Sequence, residues 1–336
     1  MTSFLDAWGV PKRAASVVVG AALVLSIAPL SVSAAAEETA TASVGRAASP
    51  QTMVSSDGQL PAAHVLTSAL ATLPHSGAGA TSPAAAGTGQ RTGAQQAPDM
   101  LPRFDMGQLL GQAPESIIGP DTRYPITTTT TYPFRAVAEM DLTQGTSSGR
   151  CTAWFIGPDT VATAGHCVHS GGSSGVWSTN VRVFPGRSGS TTPYGSCTAR
   201  RLYSVTGWTA NGDTNYDYGA VKLNCSIGST VGWFGLHWQS ASLTGQPTII
   251  DGYPGDKPYT QWGSNDVVRE TDDRKLQYDN DTVGGMSGSP VYNSVACNPC
   301  AIAIHTNGVF GGSPHNRGTR IVEPVFNNLI AWRNAP

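Results

Sequence analysis

The heptapeptide Gly284-Gly285-Met286-Ser287-Gly288-Ser289-Pro290 holds one serine hydroxyl, that of Ser287, on a turn whose glycines permit torsions closed to other residues. Such freedom lets the amides of Gly285 and Ser287 converge on a developing oxyanion. Ser289 stands where a G-x-S-x-G elbow would need its second glycine, which excludes the strand-to-helix turn that motif builds. Pro290 instead ends the turn and starts a strand. Glycine, serine and proline also make ordinary surface turns, so the meaning of the segment depends on its surroundings.

Those surroundings are β-rich. From Ile117 onward, short runs of Val, Ile, Thr, Tyr, Phe and Trp alternate with Gly, Pro, Asn and Ser turns, which predicts an all-β unit of roughly 220 residues. Strands are expected at Arg135–Met140, Thr152–Ile156, Val181–Phe184, Ala220–Leu223, Thr248–Ile250 and Ala301–Ile304. Only Val322–Trp332 has helical spacing, with Val325, Phe326, Leu329, Ile330 and Trp332 on one face.

Two segments upstream give Ser287 a chemical context. In Thr160-Val161-Ala162-Thr163-Ala164-Gly165-His166-Cys167 an apolar strand delivers His166 onto a turn of small residues. In Asn215-Tyr216-Asp217-Tyr218-Gly219-Ala220-Val221-Lys222-Leu223 the acid Asp217 opens an apolar strand, a place where a carboxylate is partly buried. The order His, Asp, Ser is that of the chymotrypsin arrangement among serine hydrolases. In that chemistry Ser287 attacks a carbonyl, His166 carries the proton, and Asp217 fixes the imidazole.

With these motifs in view the chain resembles the bacterial glutamyl endopeptidases of the chymotrypsin superfamily, and is nearest to the secreted Bacillus enzymes. Gly252–Lys257, His305–Val309 and Asn316–Arg320 are further matching segments, and the similarity runs from Ser116 to near the C-terminus. The resemblance implies two six-stranded antiparallel β-barrels with the active site between them, followed by the C-terminal helix. It also implies cleavage of protein or peptide substrates after Glu, less so Asp. No metal or organic cofactor is required by a His166-Asp217-Ser287 triad.

His305 stands at the end of the apolar strand Ala301–Ile304, which in this fold walls the pocket for the residue before the scissile bond. A histidine there can donate to a carboxylate and Thr282 can add a hydroxyl; the family uses a histidine and a hydroxyl in this way. Asp281, six residues before Ser287, opposes the reading, because trypsin-like enzymes keep there the acid that binds Lys or Arg. It is therefore expected to point away from the pocket or to be neutralised. Glu115 precedes Ser116, the first residue of the resemblance, so activation is expected by cleavage between them.

The N-terminus reads as a secretory signal over residues 1–36: Lys12 and Arg13, an apolar run Ala14–Leu30, then small residues with cleavage after Ala34 or Ala36. As a membrane anchor the run is short and is broken by Gly20, Ser26 and Pro29. Residues 37–115, rich in Ala, Ser, Thr, Gly and Pro, read as a largely disordered propeptide, with marginal helices possible at Ala63–Leu73 and Met100–Leu110. Residues 116–336 are then the mature protease domain, secreted and monomeric. A formal net charge of −2 argues against nucleic acid or an anionic membrane as partner.

In an oxidising compartment six cysteines favour disulfides. The family pairs cysteines at the positions of Cys151 and Cys167, a loop whose closure contributes about 3 kcal/mol in the chain-entropy model. Cys297 and Cys300 in Cys-Asn-Pro-Cys read as a small structural bridge, a zinc site needing a second such pair. Cys197 and Cys225 pair by elimination. Three other readings stay open: a trypsin-like enzyme cleaving after Lys or Arg, an esterase with the same machinery, and a non-catalytic binding module that would have lost a triad member.

Overall fold

The structure, a computed structural model, describes residues 48–61, 71–78, 104–105, 116–309 and 312–336. The expected signal sequence and Glu115 lie outside the described residues. Strands β1 (Met53–Ser55), β2 (Phe104–Asp105) and β3 (Tyr124–Pro125) precede the first barrel. That barrel comprises β4 (Val137–Gln144), β5 (Ser147–Phe155), β6 (Thr160–Thr163), β7 (Thr179–Pro185), β8 (Cys197–Val205) and β9 (Gly219–Leu223). After β10 (Gly235–Leu236), the second barrel comprises β11 (Pro247–Gly252), β12 (Trp262–Thr271), β13 (Lys275–Tyr278), β14 (Pro290–Asn293), β15 (Cys300–Asn307) and β16 (Asn316–Arg320).

Each set closes on itself. The first runs β8-β7-β4-β5-β6-β9 and returns to β8; the second runs β15-β14-β11-β12-β13-β16 and returns to β15. All pairings within the two rings are antiparallel, and closure leaves no long edge exposed. These are the two six-stranded barrels and the C-terminal helix that the resemblance implied. Each expected strand falls on an observed one, and β14 starts at Pro290 as expected, while β8, β12, β13 and β16 carry too many polar residues to read as strands by composition alone.

Packing explains the continuous apolar runs. Strands β6, β9 and β15 are buried along their whole length, because one face fills the barrel and the other is covered by neighbouring structure. The C-terminal helix Glu323–Asn334 starts with an acid and Pro324 in its first turn, both favourable there. It buries Phe326, Leu329 and Trp332 against the first barrel, with Trp332 stacked on Tyr203 at 5.7 Å between ring centres. All six cysteines are paired, as Cys151–Cys167, Cys197–Cys225 and Cys297–Cys300.

The described residues of the low-complexity segment 37–115 are more ordered than its composition suggests. Strand β1 extends the first barrel antiparallel to β8, the Asp57 carboxylate accepts from Arg201 Nε at 2.7 Å, and Gln51 accepts from the Tyr218 hydroxyl at 2.5 Å. Residues 71–78 run beside Trp233–His237, so Ala71–Leu73 is extended and not helical: Thr72 N donates to the Leu236 carbonyl at 2.8 Å, and the Thr72 hydroxyl accepts from Leu236 N at 3.0 Å. Phe104–Asp105 is likewise a strand, parallel to β5. The rest of both expected helices is outside the described residues. Backbone pairing with a preformed sheet supplies the order that side chains too small for a core could not. Among the described residues no helix is long and apolar enough to cross a membrane.

One buried acid gives the fold a pH dependence. Burial pushes the Asp251 carboxyl up to about 7, although the hydrogen bond from the Tyr292 hydroxyl on the neighbouring strand favours its ionised form. Its folded pKa therefore lies above the unfolded value of about 3.9, so its contribution is full below that value and is lost as pH rises through 7. Relative to the wild type, Asp251→Asn should gain stability between pH 5 and 7 by up to about 1.4 kcal/mol per pH unit. Melting temperatures of the two proteins across pH 4–8 check this; a constant difference would refute it.

Candidate active site

Strand β6 ends at Thr163 and, through Ala164, feeds a single helical turn, Gly165–Val168, which carries His166 with its side chain fully buried. A Cβ on Gly165 would lie 3.0 Å from Asp217 Oδ1 and 2.8 Å from the Tyr218 nitrogen, so only glycine lets the two segments close up. Asp217 caps a short helical turn, Thr214–Tyr216, just ahead of β9. Its Oδ1 accepts from the His166 backbone N–H at 2.8 Å and its Oδ2 meets His166 Nδ1 at 2.8 Å. One carboxylate thus fixes both the position of the histidine and the nitrogen facing it.

Burial by itself would raise the pKa of Asp217. The charge and hydrogen bonds of His166, with the charge of Lys275, outweigh burial and hold the carboxyl below its ordinary value. Lys275 is itself buried, which lowers its pKa to about 8. Its Nζ donates to Thr306 at 3.0 Å, to Asn307 at 3.2 Å and to Thr319 at 3.1 Å, and Thr319 Oγ1 donates to the Asp217 carbonyl at 2.8 Å. A cation from the second barrel thereby supports an acid of the first.

Ser287 belongs to the second barrel, on the turn before β14, and its carbonyl oxygen accepts from Thr152 N at 2.8 Å in β5 of the first. The same oxygen lies 3.8 Å from Cys167 Sγ, next to His166. Gly288, at φ +88°, leaves no room for a side chain: a Cβ would lie 2.2 Å from Thr152 O and Thr163 Oγ1. Glycine at this position is what allows the serine turn to press against the histidine turn. Strand β15 completes the surroundings, since the His305 carbonyl accepts from Gly288 N and the His305 amide donates to Ser289 O.

The His305 ring is fixed by the Tyr278 hydroxyl, 2.8 Å from Nδ1. Thr282 Oγ1 is buried without a hydrogen-bond partner among the described residues. Asp281 is turned elsewhere: Oδ1 accepts from Ile118 N at 2.7 Å, and Oδ2 accepts from Thr122 N and Thr122 Oγ1, each at 2.7 Å. Ser116 is lodged between Thr282, whose amide donates to its carbonyl at 3.2 Å, and Asn316, whose Oδ1 accepts from its amide at 3.1 Å. Contacts thus tie the His166–Asp217 pair to the Ser287 turn and that turn to His305, while Thr282 meets Ser116.

Tyr278, Lys275 and Thr152 escaped the sequence reading. None has a motif of its own, and each acts by reaching a residue far away in the chain. Asn316 and Thr319 did fall in a segment matching the family, but without a role.

A trypsin-like peptidase domain matches residues 151–296. The glutamyl endopeptidase of Bacillus licheniformis is 48% identical over 227 residues, covering 66% of this chain and 70% of that protein. The chain belongs to the glutamyl endopeptidase family. It is a serine endopeptidase of chymotrypsin-like fold. A solved Glu endopeptidase structure, 29% identical, superposes with a TM-score of 0.59 over 65% of this chain and 99% of that one. A Bacillus subtilis protein named extracellular metalloprotease is 45% identical over 226 residues, covering 66% of this chain and 71% of its own length.

That last name raises a metal, and the donor set does not fit one. Among the described residues the one cluster of potential ligands is Cys151, His166 and Cys167. Both sulfurs are bonded to each other, which leaves no thiolate to ligate, and the histidine is engaged by Asp217. The family's serine chemistry needs no such ion.

Proposed function

We propose that the protein is a secreted, monomeric endopeptidase that cleaves protein and peptide substrates after Glu, through His166, Asp217 and Ser287, without a cofactor. The observation that carries the mechanism is the pairing of both Asp217 oxygens with His166, directly beside the Ser287 turn. Ser287 Oγ attacks the scissile carbonyl, and its proton passes to His166 Nε2 while Nδ1–H is held by Asp217. The backbone amides of Gly285 and Ser287 receive the oxyanion. Protonated His166 then gives its proton to the leaving amine, and water hydrolyses the acyl-enzyme by the same steps.

Acidic specificity draws support from three groups. With Nδ1 accepting from the Tyr278 hydroxyl, His305 presents a proton on Nε2, and Thr282 adds a buried hydroxyl. Asp281, the charge that would repel a glutamate, is consumed by Ile118 and Thr122. That engagement also weakens the trypsin-like reading, since the acid that would bind Lys or Arg faces the N-terminal segment. Residues 1–36 are read as a cleaved signal and 37–115 as the propeptide, removed by cleavage between Glu115 and Ser116. The cut would turn the Ser116 amide, held by Asn316, into an ammonium on the side of the pocket that receives the carboxylate.

Digestion of a mixed peptide pool by the secreted protein tests the reading. Cuts are expected after Glu, and His305→Ala should lower the rate at Glu sites about 10- to 100-fold, the worth of one hydrogen bond to a charged group. N-terminal sequencing of the active protein should start at Ser116. Cuts after Lys or Arg would overturn the pocket, and another N-terminus the processing site.

A further inference from the structure

The turn that carries Ser287 depends on a neighbour for one of its peptide planes. Gly285 sits at φ +101°, where a Cβ would lie 2.7 Å from Tyr253 O and 3.1 Å from Gly255 N. Its backbone therefore packs directly on the loop after β11. Gly255 N donates to the Gly284 carbonyl at 2.6 Å. In a trans peptide the C=O and the next N–H point in opposite directions, so holding the Gly284 oxygen toward Gly255 aims the Gly285 N–H away from it. Two consecutive glycines offer little steric resistance to rotating this plane, so its orientation must be imposed from outside.

What fixes Gly255 is next to it. Asp256 receives a two-pronged ion pair from Arg123, with Nη1 donating to Oδ1 at 2.9 Å and Nη2 to Oδ2 at 2.7 Å. The Arg123 side chain is only 2% exposed, and its Nε and Nη2 also reach Asp121 at 3.0 and 2.9 Å. The segment bearing Arg123 is anchored on both sides. Ile118 and Thr122 hang on Asp281, and Tyr124 pairs with Gly263 in β12. Arg123 thus ties a fixed segment to the loop that holds Gly284.

We propose that Arg123 is a positioning residue for the oxyanion donor Gly285, acting through Asp256 and the Gly255–Gly284 hydrogen bond. The inference rests on the reading of Ser287 as nucleophile and Gly285 N–H as donor. It differs from a purely structural role, in which the ion pair would only fasten residues 116–125 to the second barrel. It also requires nothing of the chain's new amino terminus, because the acting group is a side chain seven residues further on.

The test compares the active, processed wild type with Arg123→Met, Arg123→Lys and Asp256→Asn. Four quantities are read: kcat and KM on the best peptide of the pool, affinity for a peptide boronic acid, and affinity for a reduced-bond analogue that has no carbonyl. For Arg123→Met, kcat should fall about 10- to 100-fold with KM within about two-fold, a fraction of the loss expected for deleting a donor outright. Boronic acid affinity should fall by the same factor and that of the reduced-bond analogue should stay unchanged. Arg123→Lys, which keeps the charge but not the fork, should recover part of kcat.

A lower melting temperature with kcat unchanged per active site would overturn the proposal, as would equal losses for the two inhibitors. Should Arg123→Met fail to fold, Asp256→Asn, at a partner more than one-third exposed, carries the same comparison. Ser287→Ala run alongside separates the two failures. An active Ser287→Ala protein would remove the underlying reading, whereas an inactive one beside a fully active Asp256→Asn would remove only the role of Arg123.

Discussion

Ser287→Ala is expected to lower kcat on order 10⁶-fold, close to the loss seen when the whole nucleophile-base unit is removed from a serine protease. The size follows from the geometry around His166: with the hydroxyl gone, the base has no proton to take and the acyl-enzyme has no atom on which to form. What remains is binding and two amides, worth roughly 10³ to 10⁴ over water. Folding should be spared, because the turn is held by Thr152 N on the Ser287 carbonyl and by Gly288 N on the His305 carbonyl, both main-chain contacts. The same variant reports on maturation. If the protein cuts its own chain after Glu115, the Ser287→Ala precursor should accumulate uncut and be converted by a trace of active enzyme. Retained activity would end the proposed mechanism, and normal processing would assign the cut to another protease.

Asp217→Asn should cost on the order of 10⁴ in kcat with little change in KM. Here the two oxygens of the acid do different work. Oδ1 accepts from the His166 backbone N–H and Oδ2 faces Nδ1. An asparagine must keep its oxygen toward the backbone donor, which turns its NH₂ toward Nδ1. That nitrogen then has to accept, so the ring proton moves to Nε2 and the base faces Ser287 already protonated. The loss therefore comes from the wrong tautomer in an intact site. NMR of the imidazole protons at neutral pH should show the Nδ1–H signal replaced by Nε2–H. A histidine that keeps its Nδ1 proton in an inactive variant would contradict this account.

Much of this site was legible in the chain, for a physical reason. Chemistry of this kind needs a small-residue turn at each functional group, and Gly165-His166, Asp217-Tyr218-Gly219 and the Gly284–Pro290 turn carry that need in local sequence. The strands that position them were legible where both faces are buried, as in β9 and β15, and illegible in β8 and β12, where charged and polar residues interrupt the apolar signal. Long-range partners left no local trace. Nothing about Lys275 announces that it lies beneath an acid 58 positions earlier, and Asp281 looked like an obstacle to glutamate until its hydrogen bonds to Ile118 and Thr122 gave it other work. The segment around β1 misled for the opposite reason, since its order is borrowed from the edge of β8.

The division of the site between the two barrels has a bearing on the safety of the cell that makes the protein. His166 and Asp217 come from the first barrel, whereas Ser287, His305 and the Lys275 cation come from the second. On the proposed mechanism, a nascent chain with only its first half folded would hold a base without a nucleophile. Hydrolytic power would then require both halves to be docked, and a half-folded copy would leave its unfinished siblings uncut.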